Sequence, residues 1–167
     1  NGTISHYKHR EDEPHSLPSN SVYYVYEDSH QNYWVGTWSG GLSYHNRFDN
    51  NFIHVKHQPG INSITDNYIN CFIEDANNNL WIGTEGGGLN YYNKTNGRFE
   101  YLTTDSPRNR VSHKNIKCLL YDSDYNLWIG TSGGGLDILD TKTNKMRHFR
   151  NDPQNKKSIG SDWIYSI

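Results

Sequence analysis

Trp34, Trp81 and Trp128 stand at a constant interval of 47 residues in this 167-residue chain. A fixed period of that length is the mark of a repeated supersecondary unit. The text around each Trp recurs: Tyr33-Trp34-Val35-Gly36-Thr37-Trp38-Ser39-Gly40-Gly41-Leu42, Leu80-Trp81-Ile82-Gly83-Thr84-Glu85-Gly86-Gly87-Gly88-Leu89 and Leu127-Trp128-Ile129-Gly130-Thr131-Ser132-Gly133-Gly134-Gly135-Leu136. Each unit reads as four short strands. The first begins at Val22, Ile69 or Ile116 and runs toward Asp28, Asp75 or Asp122, which opens an Asn-rich turn. The second carries Trp-(Val/Ile)-Gly-Thr, and the Gly cluster after it supplies the backbone freedom of a hairpin turn. The third starts at Leu42, Leu89 or Leu136, and the fourth is Phe52–Val55, Phe99–Leu102 or Met146–Phe149. Four strands in 47 residues match the blade of a β-propeller. Helical repeats would need a 3.6-residue period, and β-helix repeats are much shorter.

The ends continue the pattern. Ile4-Ser5-His6-Tyr7 matches a fourth strand, and Ile159 to Ile167 matches the approach to a first one. The expectation is one all-β domain, 1–167, with blades at about 16–56, 63–103 and 111–150 and flanking strands at 3–8 and 163–167. Propellers close with about four to eight blades, so three imply a fragment of a larger ring or a piece completed by a second copy. The opening Asn1-Gly2-Thr3, with neither Met nor a leader pattern, fits a processed or excised chain.

Composition supports an aromatic core. Leu, Ile, Val and Phe make up only about a fifth of the residues, the edge of disorder, but 13 Tyr and 5 Trp supply large apolar rings. A formal charge of −2 without a basic block excludes an electrostatic nucleic-acid grip, and no apolar run is long enough to insert in a membrane. Two cysteines are too few for a disulfide scaffold.

The stretch Glu74-Asp75-Ala76-Asn77-Asn78-Asn79-Leu80-Trp81-Ile82-Gly83-Thr84-Glu85-Gly86-Gly87-Gly88-Leu89 and its two sister copies resemble the two-component regulator propeller repeat. That resemblance implies the periplasmic sensor region of a Bacteroides-type hybrid two-component histidine kinase. It also implies an oligosaccharide ligand from a complex glycan, and a kinase elsewhere in the parent protein.

Residues present in every blade serve what every blade needs. Trp34, Trp81 and Trp128 are expected in inter-blade packing, and Gly36, Gly83 and Gly130 at close backbone approaches. Thr37, Thr84 and Thr131, with Gly41, Gly88 and Gly135, complete the scaffold. Ligand contacts should instead use variable positions on the rim, where the second-to-third turns and the fourth-to-first loops emerge. The candidates are Trp38, for stacking on a sugar face, and Glu85, Arg108, Arg110 and His113 for hydroxyl or acidic groups.

Asp122-Ser123-Asp124-Tyr125-Asn126 has the opening of a calcium loop but lacks its closing Glu, so a turn closed by its own side chains is expected. His6-Tyr7-Lys8-His9 and His54-Val55-Lys56-His57 do not suggest a metal pair, because Tyr101 shares a blade column with His6, His54 and His148. Cys71 and Cys118 fall in one column of neighbouring blades and are expected as two buried thiols. No metal, cofactor or catalytic group is expected. The expected function is non-catalytic sensing. The alternatives are a protein-interaction propeller in cell-surface assembly or secretion, and a polysaccharide lyase.

Overall fold

The computed structural model describes residues 4–46, 48, 49 and 51–167. Among them are twelve strands in three antiparallel sheets, each ordered as the chain runs. The first blade comprises β1 (Val22–Glu27), β2 (Tyr33–Thr37), β3 (Gly41–His45) and β4 (Phe52–Val55). The second comprises β5 (Ile69–Glu74), β6 (Leu80–Thr84), β7 (Leu89–Asn93) and β8 (Arg98–Leu102). The third comprises β9 (Ile116–Tyr121), β10 (Asn126–Thr131), β11 (Leu136–Asp140) and β12 (Lys145–Phe149).

The register repeats too: Trp34 faces Tyr44, Trp81 faces Tyr91 and Trp128 faces Ile138 across the middle hairpin. The turn between the first two strands is closed by its Asp. Asp28 Oδ1 accepts the amides of His30 and Asn32, Asp75 Oδ1 those of Asn77 and Asn79, and Asp122 Oδ1 those of Asp124 and Asn126. The carboxylates are thus spent on turn amides, as expected of Asx closure.

The two seams between sheets hold the core. In the first, Trp34 and Leu42 meet Ile64, Ile69, Phe72, Leu80, Ile82 and Phe99. In the second, Cys71, Trp81 and Leu89 meet Val111, Ile116, Leu127, Ile129 and Leu139. Gly36 and Gly83 sit where the next inner strand comes closest, and Gly130 where Ile164 does. A Cβ on Gly83 would stand 2.6 Å from Cys71 Sγ and 2.7 Å from Ile116 Cγ2. Each blade is also tied to the chain that starts the next one: the amides of Gly41, Gly88 and Gly135 donate to the carbonyls of Asn67, Lys114 and Asp162 at 2.9 Å. These three glycines have φ between 76° and 84°, and a Cβ on any of them would strike the carbonyl that ends the fourth strand. Thr84 and Thr131 hydroxyls bond the Gly88 and Gly135 carbonyls, whereas the buried Thr37 hydroxyl has no partner because its turn is wound differently.

Three expectations need correction. Residues 4–8 form no strand (Thr3, the first of that expected run, lies outside the described residues), and residues 163–167 contribute only a bridge between Trp163 and Ser132. A strand exists only by pairing, and the sheets that would accept these segments are not among the described residues. Cys118 is half-buried, not buried like Cys71, because the face it lies on lacks a further blade; both thiols are free. For the same reason Trp128 is half-buried while Trp34 and Trp81 are 4% and 7% exposed.

Candidate functional site

The rim where the second-to-third turns emerge is shaped by β-bulges. Register slips between Val22 and Tyr24, between Ile69 and Cys71, and between Ile116 and Cys118 each leave one residue out of the ladder. A bulge re-aims its extra side chain. Here those side chains are Tyr23, Asn70 and Lys117.

At the first seam Tyr23 stacks on Trp38 with ring centroids 5.3 Å apart and planes 26° from parallel, and Tyr68 meets Trp38 edge-on at 4.7 Å. The ledge crosses from the first blade to the second. It stays open, with Trp38 46% and Tyr23 57% exposed.

At the second seam the same columns hold polar groups. Glu85 accepts from Asn70 Nδ2 at 2.8 Å, Lys117 Nζ at 2.7 Å and Asn115 Nδ2 at 2.5 Å, the last two from the third blade's side. Burial works against its charge, but these three donors outweigh it and hold the carboxyl below its ordinary range. Glu85 therefore locks two blades together, with every donor supplied by the fold.

The long loops are stapled in a common way. His57 donates its amide to Asn67 Oδ1 and sets Nδ1 against the Ile64 carbonyl, while Ser63 Oγ bridges the amide and carbonyl of Gln58. His9, Asn20 and Ser16 do the same in the first loop, and Asn151, Asp162 and Ser158 in the last. The loop before β9 has Thr104, Arg110 and Lys114 at those columns. There Arg108 and Arg110 are exposed and make no hydrogen bond or ion pair among the described residues. His113 caps its own loop, its Nδ1 accepting the Asn115 amide at 3.1 Å.

The opposite rim of the first seam holds an ionic lock. Lys94 Nζ lies 2.6 Å from Glu74 and 3.2 Å from Asp28, both nearly inaccessible. Burial pushes Asp28 upward, but the Trp34 indole (3.0 Å), the Asn32 amide and Lys94 together bring it down to about 2. Asp28, His30 and Glu74 offer donor atoms within 4.8 Å of one another, yet the ammonium of Lys94 already serves as the cation between the carboxylates.

One cluster has the residue types of a hydrolase. Buried Asp137 receives the Ser112 hydroxyl at 2.5 Å and His148 Nδ1 at 2.7 Å, and the same Nδ1 lies 3.0 Å from Ser112 Oγ. In a nucleophilic triad the base touches acid and nucleophile through different ring nitrogens. Here one nitrogen touches both and the hydroxyl is spent on the carboxylate, so the triangle ties loop to strand.

Of the predicted rim residues, Trp38, Arg108 and Arg110 are exposed, whereas Glu85 and His113 are engaged by the fold. Tyr23, Tyr68, Asn70, Asn115 and Lys117 complete the surface, and the sequence reading missed them. Their signal was the variability of two columns, the second residue of each first strand and the residue just before that strand.

Residues 16–39, 63–86 and 110–133 match the family described as two component regulator propeller. No curated protein sequence matches the chain significantly. Among solved structures, the extracellular domain of the hybrid two-component system BT3049 from B. thetaiotaomicron superposes with a TM-score of 0.76 at 23% identity, over 87% of this chain and 20% of that one. That of BT4673 from the same organism gives 0.72 at 25% identity, over 91% and 19%. PorZ, a surface component of the type-IX secretion system of Porphyromonas gingivalis, gives 0.59 at 16%, over 87% and 21%. The chain thus spans about a fifth of the length of each.

Proposed function

The chain belongs to the two component regulator propeller family, and from that premise we propose that it is part of the extracytoplasmic, periplasmic sensor region of a hybrid two-component signalling protein and binds an oligosaccharide without turning it over. The observation that carries this reading is the ledge of Tyr23, Trp38 and Tyr68, an exposed aromatic surface in columns that the second seam fills with a closed polar lock. Ring faces flanked by polar groups suit the alternating apolar and hydroxyl surfaces of a sugar. The family and the extracellular domains of two-component systems with a similar fold support the signalling role. The wiring of Ser112, Asp137 and His148 supports binding without catalysis. Further blades of the same ring would cover the outer faces, since the face that exposes Val22 and Val25 in the first blade is packed in the second.

Binding at a seam transmits a signal if the ligand prefers one arrangement of the two blades, since a ligand shifts an equilibrium only through differential affinity. Titration calorimetry against a panel of neutral and acidic oligosaccharides tests the proposal. A saturable ligand that raises the melting temperature and loses about tenfold or more in affinity in Trp38→Ala is expected from losing a stacking ring. Equal binding by Trp38→Ala would remove the ledge from the reading, and a panel without a ligand would remove the saccharide.

A further inference from the structure

The loop before β9 departs from its sisters in how it meets the sheet as well as in its staple. In the first blade Phe52 donates its amide to the His15 carbonyl at 2.9 Å. In the second, the Asn62 side chain brackets Phe99, accepting from its amide at 2.7 Å and donating to its carbonyl at 2.8 Å. Both loops thereby seal the start of the outer strand, an edge otherwise left with unpaired backbone groups. In the third blade Asn109 occupies the column of Asn62, but its side chain donates to Asn144 Oδ1 at 2.6 Å, and no described hydrogen bond joins the loop to Met146, the counterpart of Phe99.

The loop is held to Asn144, just before β12, and to His148 through Ser112, and leaves Met146 between them unbonded. The result is a cleft of about 400 Å³ lined by Asp105, Ser106, Arg108, Arg110, Met146 and His148. Neither arginine has an acidic partner, while Asp105 faces Lys114 at 3.8 Å. His148 turns Nδ1 to Asp137 and leaves Nε2 as the ring atom available to the cleft. The first loop makes a cleft of similar size, about 450 Å³, but there Arg10 is bound to Glu13 at 2.6 Å, and Asp12 also lines the wall. Among the described residues, only the third-blade cleft pairs unspent guanidinium groups with a strand start that its loop leaves unbonded.

We propose that this cleft is an oxyanion subsite that takes the carboxylate or sulfate of an acidic saccharide, the two guanidinium groups supplying charge-assisted hydrogen bonds. The identity of the saccharide rests on the sensor reading; the anion chemistry stands on the arginines alone.

The test is calorimetric titration of the protein with trigalacturonate, a sulfated chondroitin disaccharide, the neutral galactose trisaccharide and inorganic sulfate. It uses wild type, Arg108→Gln/Arg110→Gln, Arg108→Lys/Arg110→Lys and Trp38→Ala. At least one acidic saccharide should bind wild type saturably and more weakly as salt rises, and should lose about tenfold or more in the Gln pair. The Lys pair should retain part of the affinity, and neutral saccharide should be indifferent to all the arginine changes. Both Arg side chains are exposed, so the variants should melt as wild type does. Binding by neither acidic saccharide nor sulfate, or equal binding by the Gln pair, overturns the subsite. Sulfate binding that depends on the arginines, with no saccharide bound, keeps the anion site and removes the sensor reading. Neutral saccharide binding that depends on Trp38, with no anion bound, does the reverse.

Discussion

The first and second seams are built on the same columns of the repeat, yet they place charge at opposite rims. In the first, the turn rim is aromatic (Tyr23, Trp38, Tyr68) and the far rim is closed by Lys94 between Asp28 and Glu74. In the second, the turn rim is closed by Glu85 with Lys117, Asn70 and Asn115, and the far rim holds Tyr121 and Thr141, hydroxyl to hydroxyl at 2.9 Å, in the columns of Glu74 and Lys94. Packing by Trp34 in one and Trp81 in the other is equivalent. A seam therefore needs one polar lock, and the rim that does without it is free to present another surface.

The largest effect should come from removing the packing that the seams share. Trp34→Ala deletes a buried ring and an indole donor to Asp28, and should cost about 4 kcal/mol in denaturant unfolding. Trp128→Ala, on the open face, should cost about half as much by the same cavity argument; equal losses would mean that the outer face is as closed as the seams.

Next come the locks. Lys94→Met leaves two shielded carboxylates facing each other and should cost about 3 kcal/mol near neutral pH, against about 1 kcal/mol for Glu85→Gln on its more exposed rim. In wild type the Asp28 carboxyl sits at about 2, below its ordinary 3.8. Its stabilisation is thus complete above the unfolded value and drains away as pH falls from about 4 toward 2. In Lys94→Met the carboxyl loses its cation and rises, so the deficit should shrink on acidification as one of the pair takes a proton. A melting temperature that falls in parallel for both proteins would break the assignment of the lock.

The smallest effect isolates a difference among the three Trp sites. Trp34 and Trp128 donate to their turn carboxylates, but Trp81 Nε1 is buried without a partner because the Tyr91 hydroxyl occupies Asp75 Oδ2 at 3.0 Å. Burial and that neighbouring carboxylate push the Tyr91 phenol up to about 12. Tyr91→Phe frees Asp75 for the indole, so the change should stay under about 1 kcal/mol. A larger loss in the melt would show that the indole cannot reach the vacated oxygen.

The blades were legible in the sequence because turn Asp, strand Trp and hairpin Gly each answer a local demand that recurs every 47 residues. Trp38 was legible as a variable ring at a turn, but its neighbours were not. Tyr23 faces it only through a bulge that a regular strand pattern does not announce, and Tyr68 arrives from the next blade. Glu85 read as a free acid because its donors Asn115 and Lys117 lie some thirty residues downstream. The meaning of Arg108 and Arg110 depended on knowing that a Ser staples the sister loops, which takes a hydrogen-bond pattern to see.

The glycine tethers set the order in which such a chain can assemble. Gly41 to Asn67, Gly88 to Lys114 and Gly135 to Asp162 each close a segment of 26 or 27 residues, and the acceptor lies ahead of the strands of the blade it introduces. A blade emerging during synthesis can thus hold the start of its successor before that successor has a single hairpin. Growth by short closures of this kind keeps contact order low and lets the array zip forward one unit at a time, without waiting for the ring's distant ends to meet.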